Sequence, residues 1–223
     1  MRKMRSERKA AVIPEAVMKR LPVYQRYLSE MLHQEYERIS SQELAAKIGI
    51  TASQLRQDLS YFGSFGQQGY GYHTGELLSQ VNKILGLDRT KQVVLVGAGH
   101  LGQALLSYTN FTERGFIYKA AFDIQPAPGG RVAGIPVLPV AALSEYLAET
   151  PVEIGIITTP AGVAQEIATT LVRGGVKGIW NFAPVALNVP STVVVEHVHI
   201  SESLLVLSFK LEQERRWAGK NPE

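Results

Sequence analysis

Residues 91–123 read KQVVLVGAGHLGQALLSYTNFTERGFIYKAAFD. Residues 92–96 are a short β-branched apolar run, the pattern of a strand buried on both faces. The run passes directly into Gly97-Ala98-Gly99-His100-Leu101-Gly102, a G-x-G-x-x-G. Leu101, Ala104, Leu105 and Tyr108 then fall at helical spacing and predict one apolar face. A second apolar run, 116–122, ends on Asp123, 21 residues beyond Gly102. Each part has a physical task in holding a dinucleotide. Gly97 permits the tight turn, Gly99 lets a pyrophosphate approach the backbone, and Gly102 lets helix and strand pack closely. The helix N-terminus offers free N–H groups and partial positive charge to phosphates. Asp123, at the tip of the second strand, is placed to accept hydrogen bonds from both ribose hydroxyls of the adenosine. A carboxylate there repels a 2′-phosphate, and Ile124, Gln125 and Pro126 bring no arginine to receive one. NADH and NAD+ are therefore favoured over their phosphorylated forms.

At 223 residues, 45% of them hydrophobic, the chain is long enough for one large domain or two small ones with a proper core. It has no cysteine, which removes disulfides, thiolate catalysis and Cys-ligated zinc. No apolar run approaches the roughly 20 residues a membrane span needs. The charged N-terminus is not followed by the apolar segment of a secretory signal. The expectation is a cytoplasmic protein without membrane or metal partners. The net charge of +3 is unevenly spread. Residues 1–86 carry 12 Lys/Arg against 8 Asp/Glu, and the remainder 11 against 12. Arg2, Lys3, Arg5, Arg8 and Lys9 crowd the start.

That basic end has its own pattern. Residues 14–32, PEAVMKRLPVYQRYLSEML, predict a helix with Val17, Leu21, Tyr24, Leu28 and Leu32 inside. Pro14 suits the first turn, and Pro22 is expected to kink the helix or restart it. Ser40 and Glu43 form an S-x-x-E capping box for a short helix ending near Ile48, with Gly49 as its C-cap. Thr51, Ala52, Ser53 and Gln54 open a second short helix. Two short helices joined by a glycine turn, the second opening with small polar residues, predict a helix-turn-helix. Residues 62–72, FGSFGQQGYGY, predict the hairpin of a wing with Gln67 and Gln68 at a tip narrow enough for a minor groove. The residues expected at DNA are Lys47, Thr51, Ser53, Gln54, Arg56, Gln57, Ser60, Tyr61, Gln67 and Gln68. Gln54 and Gln57 suit adenine edges, and Arg56 suits guanine or phosphate. With so few cations on the second helix, phosphate attraction is expected partly from the N-terminal arm, Lys47 and Arg20.

Residues 76–87 predict an amphipathic helix and 86–91 a linker. Beyond the opening βαβ come a Pro/Gly-rich loop at 125–134, strands near 135–137, 153–159 and 176–181, helices over 140–147 and to Leu171, and a last strand at 193–200. The sheet is expected to be mainly parallel, and ligands of such sheets bind outside the strand C-termini. Thr158, Thr159, Pro160, Asn181, Phe182 and Ala183 are the expected lining of the nicotinamide half, with Ile124 beside Asp123. Residues 201–217, SESLLVLSFKLEQERRW, predict a terminal helix whose apolar stripe is too broad for a free tail. The fold class is α/β: a winged-helix DNA-binding domain over 1–86, a Rossmann dinucleotide-binding domain over 87–200 and a C-terminal dimerisation helix over 201–223.

Four stretches carry a resemblance: IPEAVMKRL, QLRQDLSYFGSFGQQGYGY, VGAGHLG with Tyr108, and KGIWNFAPV. Through them the chain resembles, over almost its whole length, the Rex family of redox-sensing transcriptional repressors. The resemblance implies a homodimer whose terminal helix is swapped onto the partner. It implies binding to operator DNA when NAD+ prevails and release when NADH binds. It implies that Gly97, Gly99, Gly102 and Asp123 hold the dinucleotide, and that Thr158, Pro160, Asn181 and Phe182 border the nicotinamide. It also implies a polar switch including Tyr108 and Arg26. The family often has an acidic residue before the swapped helix where this chain has Val198-His199. A neutral His199 could accept a hydrogen bond from Arg26, whereas a protonated one would be repelled. Gln57 and Gln68 stand where the family usually has basic residues, which implies weaker phosphate attraction or an altered operator preference.

An apolar pocket penalises the cationic ring of NAD+ and so tells it from NADH. Closure of two subunits would then respace the two DNA-reading heads. The alternative is a small NAD-dependent oxidoreductase, which needs a positioned acid, base or nucleophile. His100 lies inside the glycine turn, and His197 and His199 alternate along a strand without an obvious acidic partner, so no catalytic residue is assigned. A nucleotide- or CoA-binding structural module explains the glycines but not the first 85 or so residues.

Overall fold

The computed structural model describes residues 13–63, 65, 70–126 and 130–220. The chain divides into two compact units, Met1–Arg89 and Thr90–Glu223. The division falls three residues later than the sequence suggested. The reason is that the amides of Gly86 and Leu87 bond back to the carbonyls of Lys83 and Asn82, at 3.0 and 2.7 Å, and stay with the helix before them. The terminal helix falls within the second unit.

In the first unit, α1 (Glu15–His33) starts at Pro14 and buries Val17, Leu21, Tyr24, Leu28 and Met31. It runs unbroken through Pro22, against expectation. Pro22 lies on the exposed face, where a missing backbone donor costs least. Leu32 is exposed and Met31 takes its place in the core. Strand β1 (Arg38–Ile39) pairs antiparallel with β2 (Tyr72–His73). At two residues, β1 is too short to show alternation and escaped the sequence reading. Between these strands lie α2 (Ser41–Ile48) and α3 (Ala52–Ser60). The capping box at Ser40 and Glu43 is formed, at 3.1 and 2.8 Å, and α2 ends on Gly49 in the left-handed conformation. The Thr51 hydroxyl caps α3 by accepting from the Gln54 amide at 3.1 Å. Helix α4 (Thr74–Ile84) adds Leu77 and Val81 to the core of Leu21, Tyr24, Leu28, Leu44, Leu55 and Leu59. The wing tip with Gln67 and Gln68, and the basic arm from Arg2 to Lys9, lie outside the described residues.

The second unit is a seven-stranded sheet. Its strands are β3 (Lys91–Val96), β4 (Phe116–Asp123), β5 (Arg131–Val132), β6 (Ile135–Pro139), β7 (Ile154–Ile157), β8 (Gly178–Asn181) and β9 (Val194–His197), in the order β5-β6-β4-β3-β7-β8-β9. All neighbours are parallel except the β5–β6 hairpin. Without β5 this is the doubly wound dinucleotide-binding order, whose direction reverses between β3 and β7. Residues along β3 alternate between two cores, Val94 and Val96 to one side, Val93 and Leu95 to the other. The first core is closed by α7 (Leu143–Glu149) and α8 (Ala161–Arg173) through Leu143, Leu147, Ile167 and Leu171. The second is covered more thinly, by α5 (His100–Leu106) and the single turn α6 (Asn110–Glu113), because the hairpin replaces a crossover helix between β4 and β6. An apolar groove of about 270 Å3 between Phe111, Tyr118, Ile156 and Trp180 remains there, and burial pushes the Tyr118 phenol up to about 12.

Helix α5 buries Gly102 and Leu106, and Leu105 partly, while Leu101, Ala104 and Tyr108 are exposed. The predicted apolar face was therefore misplaced. The helix sits so close to the sheet that Gly102 and Leu106, not Leu101, form the contact. Ile200, expected to end a strand, begins α9 (Ile200–Lys220), whose Leu204, Leu205, Leu207, Phe209, Leu211 and Trp217 are all exposed.

Among the described residues, one charged side chain lies fully inside the first unit. Asp58 on α3 is 0% exposed. Its carboxylate accepts from Arg20 Nε at 2.6 Å and Nη2 at 2.9 Å, from the Tyr24 hydroxyl, and from Gln54 Nε2 at 2.7 Å. Burial alone would raise its pKa, but hydrogen bonds from Arg20, Tyr24 and Gln54 together outweigh it and hold the carboxyl below its ordinary value. Asp58 holds Arg20 charged, and burial together with the bond to Asp58 raises the Tyr24 phenol against the opposing pull of Arg20. Asp58→Asn leaves the Arg20 guanidinium without its counter-charge and should cost the first unit about 3–5 kcal/mol in denaturant unfolding. Because the folded pKa is depressed, the stabilisation is complete above the unfolded value and fades as pH falls through the folded one. The wild-type unit should lose stability over that acid window, and Asp58→Asn should lose less there; equal losses would detach the carboxylate from acid unfolding.

Candidate functional site

At the C-terminal end of β3 the chain turns on Gly97, at φ 104°, where a Cβ would lie 2.8 Å from the Thr158 carbonyl carbon and oxygen. A Cβ on Gly102 would lie 2.1 Å from the Gly97 carbonyl oxygen. Both positions therefore exclude a side chain. The Thr158 hydroxyl donates to the Gly97 carbonyl at 2.7 Å and so ties β7 to the glycine turn across the point where the sheet reverses. At Gly99 a Cβ would meet nothing within 4 Å, so the backbone there is open to a ligand. Asp123 is aimed at the same turn: Oδ2 accepts from the Ala98 amide at 2.7 Å, and Oδ1 from the Gln125 amide at 2.9 Å. His100 and Leu101, next in the motif, are exposed.

These residues open onto a cleft of about 650 Å3. Gly97, Gly99, Asp123, Ile124, Thr158, Thr159 and Pro160 line it, as does a wall the sequence reading missed: Val140 and Ser144 before and on α7, and Val163, Glu166 and Thr170 on α8. Only the spacing of Val163, Glu166 and Thr170 along one helix face, 3 and 4 apart, could have marked that wall. Its charged members are Asp123 and Glu166, with no Lys or Arg among the lining residues. The Thr159 hydroxyl is buried without a protein partner, whereas that of Thr158 is committed to the turn. An orphaned donor beside an open glycine and a carboxylate suits a ribose-phosphate ligand.

Not every expected lining residue faces this cleft. Asn181 is 0% exposed. Its Nδ2 lies 3.1 Å from the Ala183 carbonyl, 2.9 Å from that of Val185 and 3.1 Å from His197 Nδ1, and its Oδ1 accepts from the Ala183 amide at 3.0 Å. Its side chain fastens the turn after β8 and has no surface for a ligand, which corrects the sequence assignment. Ala183 is likewise buried. Phe182 is half-buried against Trp180, with ring centroids 4.6 Å apart, and Trp180 meets Phe111 and Phe111 meets Tyr108 at 5.6 and 4.9 Å. His199 is exposed, its ring stacked with His197 at 6.2 Å. Arg26, in the other unit, is exposed with its guanidinium over the Tyr27 ring.

On α3, Ser53, Arg56, Gln57 and Ser60 are exposed at positions i, i+3, i+4 and i+7, with Thr51 and Tyr61 exposed at the two ends. Lys47 is exposed on α2, its ammonium over the Tyr36 ring. Arg56 Nη1 donates to the Ser41 hydroxyl at 2.8 Å, and the Ser60 hydroxyl to the Gln57 carbonyl at 2.6 Å. Two expectations fail. Gln54 turns its amide inward to Asp58, and the Arg20 guanidinium is taken by the same carboxylate. A buried carboxylate needs donors more than the surface does, and it recruited both.

No group of three or more His, Cys, Asp or Glu side chains that could hold a metal ion occurs among the described residues, and no helix among them is long and apolar enough to cross a membrane. Residues 12–60 match a family model described as "Putative DNA-binding protein N-terminus", and residues 88–185 one described as "CoA binding domain". A redox-sensing transcriptional repressor Rex of Thermoanaerobacter sp. (strain X514) is 47% identical over 207 residues, covering 92% of each chain. The Rex of Clostridium botulinum (strain Hall) is 52% identical over 197 residues, covering 88% of this chain and 94% of that one. Among solved structures, RSP in complex with β-NAD+ and operator DNA is similar at a TM-score of 0.86 and 46% identity, over 94% of this chain and 97% of that one. RSP in complex with β-NADH is similar at 0.86 and 43%, over 95% and 100%. Matching these proteins from the helix-turn-helix to the end of the parallel sheet, the chain belongs to the Rex family of redox-sensing transcriptional repressors.

Proposed function

We propose that this protein represses transcription in response to the NADH/NAD+ ratio, holding operator DNA when NADH is low and leaving it when NADH binds. One observation carries the reading. A single chain joins an exposed polar stripe on a helix-turn-helix to a dinucleotide cleft whose walls offer no paired acid, base or nucleophile for chemistry. The protein is a sensor, not an enzyme. Gly97, Gly99 and Gly102 let the pyrophosphate approach the backbone, Asp123 receives the adenosine ribose, and Thr159 supplies the free hydroxyl. Bound NADH presents a neutral dihydropyridine ring where NAD+ presents a cationic one. Phe182 against Trp180, at the end of β8 and outside that cleft, is the apolar surface assigned to the nicotinamide ring, and an unpaired cation is expensive to desolvate beside it. It favours the reduced form.

The protein acts as a homodimer in the cytoplasm. Support for the dimer comes from α9, whose exposed leucines, Phe209 and Trp217 call for a second copy to cover them. Two copies carry two α3 helices, and operator half-sites recur at about 34–36 Å along DNA. A change in the spacing of the two copies is then enough to release both. Arg26, Tyr108 and His199 belong to this switch, with His199 in place of an acidic partner.

Fluorescence anisotropy on a short AT-rich palindrome should show the protein released by NADH at concentrations where NAD+ has no effect. Nucleotide binding without any DNA binding at low salt would end the repressor reading. Thr159→Val should weaken NADH binding by about fivefold or more, since one hydrogen bond to a ligand is lost. It should leave the melting temperature of the ligand-free protein unchanged or higher, because that hydroxyl has no protein partner. Asp123→Asn removes the charge that faces a 2′-phosphate, so the preference for NADH over NADPH in titration calorimetry should shrink by about tenfold. An unchanged preference would place the selectivity elsewhere.

A further inference from the structure

The Asp58 network is more elaborate than holding two helices together requires. Helices α1 and α3 each contribute an i, i+4 pair: Arg20 and Tyr24 from one, Gln54 and Asp58 from the other. Leu55 and Leu59 already bury α3 in the core, and apolar packing is not directional. A helix held by leucines alone can roll about its axis at little cost. A bidentate guanidinium–carboxylate pair cannot, since its two parallel hydrogen bonds are lost on rotation. A buried ion pair is also a poor source of net stability, because well-packed apolar residues often serve as well. Its contribution here lies in direction.

We infer that Asp58 is a positioning residue for DNA reading: clamped by Arg20, Tyr24 and Gln54, it sets the roll of α3 and thereby decides which side chains reach base edges. The inference rests on α3 being the helix that enters the groove. At about 100° per residue, Arg56 and Ser60 lie about 160° around the helix from Asp58, with Ser53 close beside them and Gln57 about 100° away. The clamp therefore faces away from the exposed stripe and fixes it from behind. A roll of about 20° carries a side-chain tip at a radius of about 6 Å through about 2 Å. That exceeds what a base-edge hydrogen bond tolerates. Gln54 and Arg20 act on specificity from within and touch neither base nor phosphate.

The test uses the full chain without nucleotide and duplexes that the wild type enriches from a randomised palindromic DNA library. For each variant, anisotropy gives two numbers: the affinity ratio between an enriched and a scrambled duplex, and the slope of log affinity against log salt on the enriched duplex. Arg20→Lys keeps the charge and loses the fork, and Arg20→Gln loses both. Positioning predicts that both variants lower the ratio by about tenfold, the scale of one misread base contact, with the slope unchanged. A phosphate contact at Arg20 predicts that Arg20→Gln lowers the slope by about one unit while Arg20→Lys behaves as wild type, and that result overturns the inference. Ratios and slopes unchanged in both variants also overturn it. Should Arg20→Gln fail to fold, Arg20→Lys decides alone: a lowered ratio supports positioning and an unchanged one overturns it. A wild type that enriches no duplex at low salt overturns the DNA-reading role of α3 and this inference together, whereas a wild type that does so leaves the first standing whatever the variants show.

Discussion

The nucleotide unit depends on how closely backbone meets backbone where β3 and β7 diverge. The Gly97 carbonyl accepts the Thr158 hydroxyl on one side and faces Gly102 on the other, too near for a Cβ at either glycine. That contact brings α5 against the sheet and leaves Gly99 open. It fixes where Asp123 must point, because the Ala98 amide in the same turn donates to its carboxylate. The cleft is a by-product of strand order: parallel strands that part in opposite directions leave a gap at their C-terminal ends. Close packing at the glycines turns that gap into a phosphate-accepting one.

Electrostatics then narrows what the gap can take. The second family model is described by CoA, but CoA carries a phosphate on its adenosine ribose. Among the described residues that line this cleft, the charged ones are Asp123 and Glu166, with no cation. An unpaired phosphate beside a carboxylate in a partly dry site is strongly disfavoured. Fold similarity alone would admit either ligand, and the charges favour the dinucleotide without the extra phosphate. The same economy of charge marks the DNA-reading unit. Arg56 is the single cation on α3, and the other polar side chains exposed along it, Ser53, Gln57 and Ser60, offer only directional hydrogen bonds.

Three polar networks play matching parts. Asp58 gathers Arg20, Tyr24 and Gln54; Asn181 gathers the turn from Ala183 to Val185; Thr158 holds the glycine turn. Each commits a polar side chain to fixing the backbone or helix beside it. Gln54 and Asn181, expected from sequence at a ligand, spend their side chains in such networks. A polar side chain next to a binding segment carries the same sequence signal in either role.

The sequence by itself determined the order and type of nearly every element. Periodicity, the capping box at Ser40 and Glu43, and the glycine spacing from Gly97 to Gly102 are local, and local physics sets them. It also determined the choice of Asp123 at the end of β4, since strand, turn and helix lengths fix that distance. Tertiary structure alone decided the partners of buried polar groups. Nothing within α3 says that Gln54 will face inward, because Arg20 and Tyr24, the other partners of Asp58, lie 38 and 34 residues before it. It likewise decided that Leu106, and not Leu101, faces the sheet, because the depth at which α5 packs depends on Gly102 meeting a carbonyl five residues earlier. The wall of Val163, Glu166 and Thr170 entered the cleft only when β7 took its place beside β3. Local pattern dictates which face of an element is apolar; what stands opposite that face follows from the packing of segments distant in sequence.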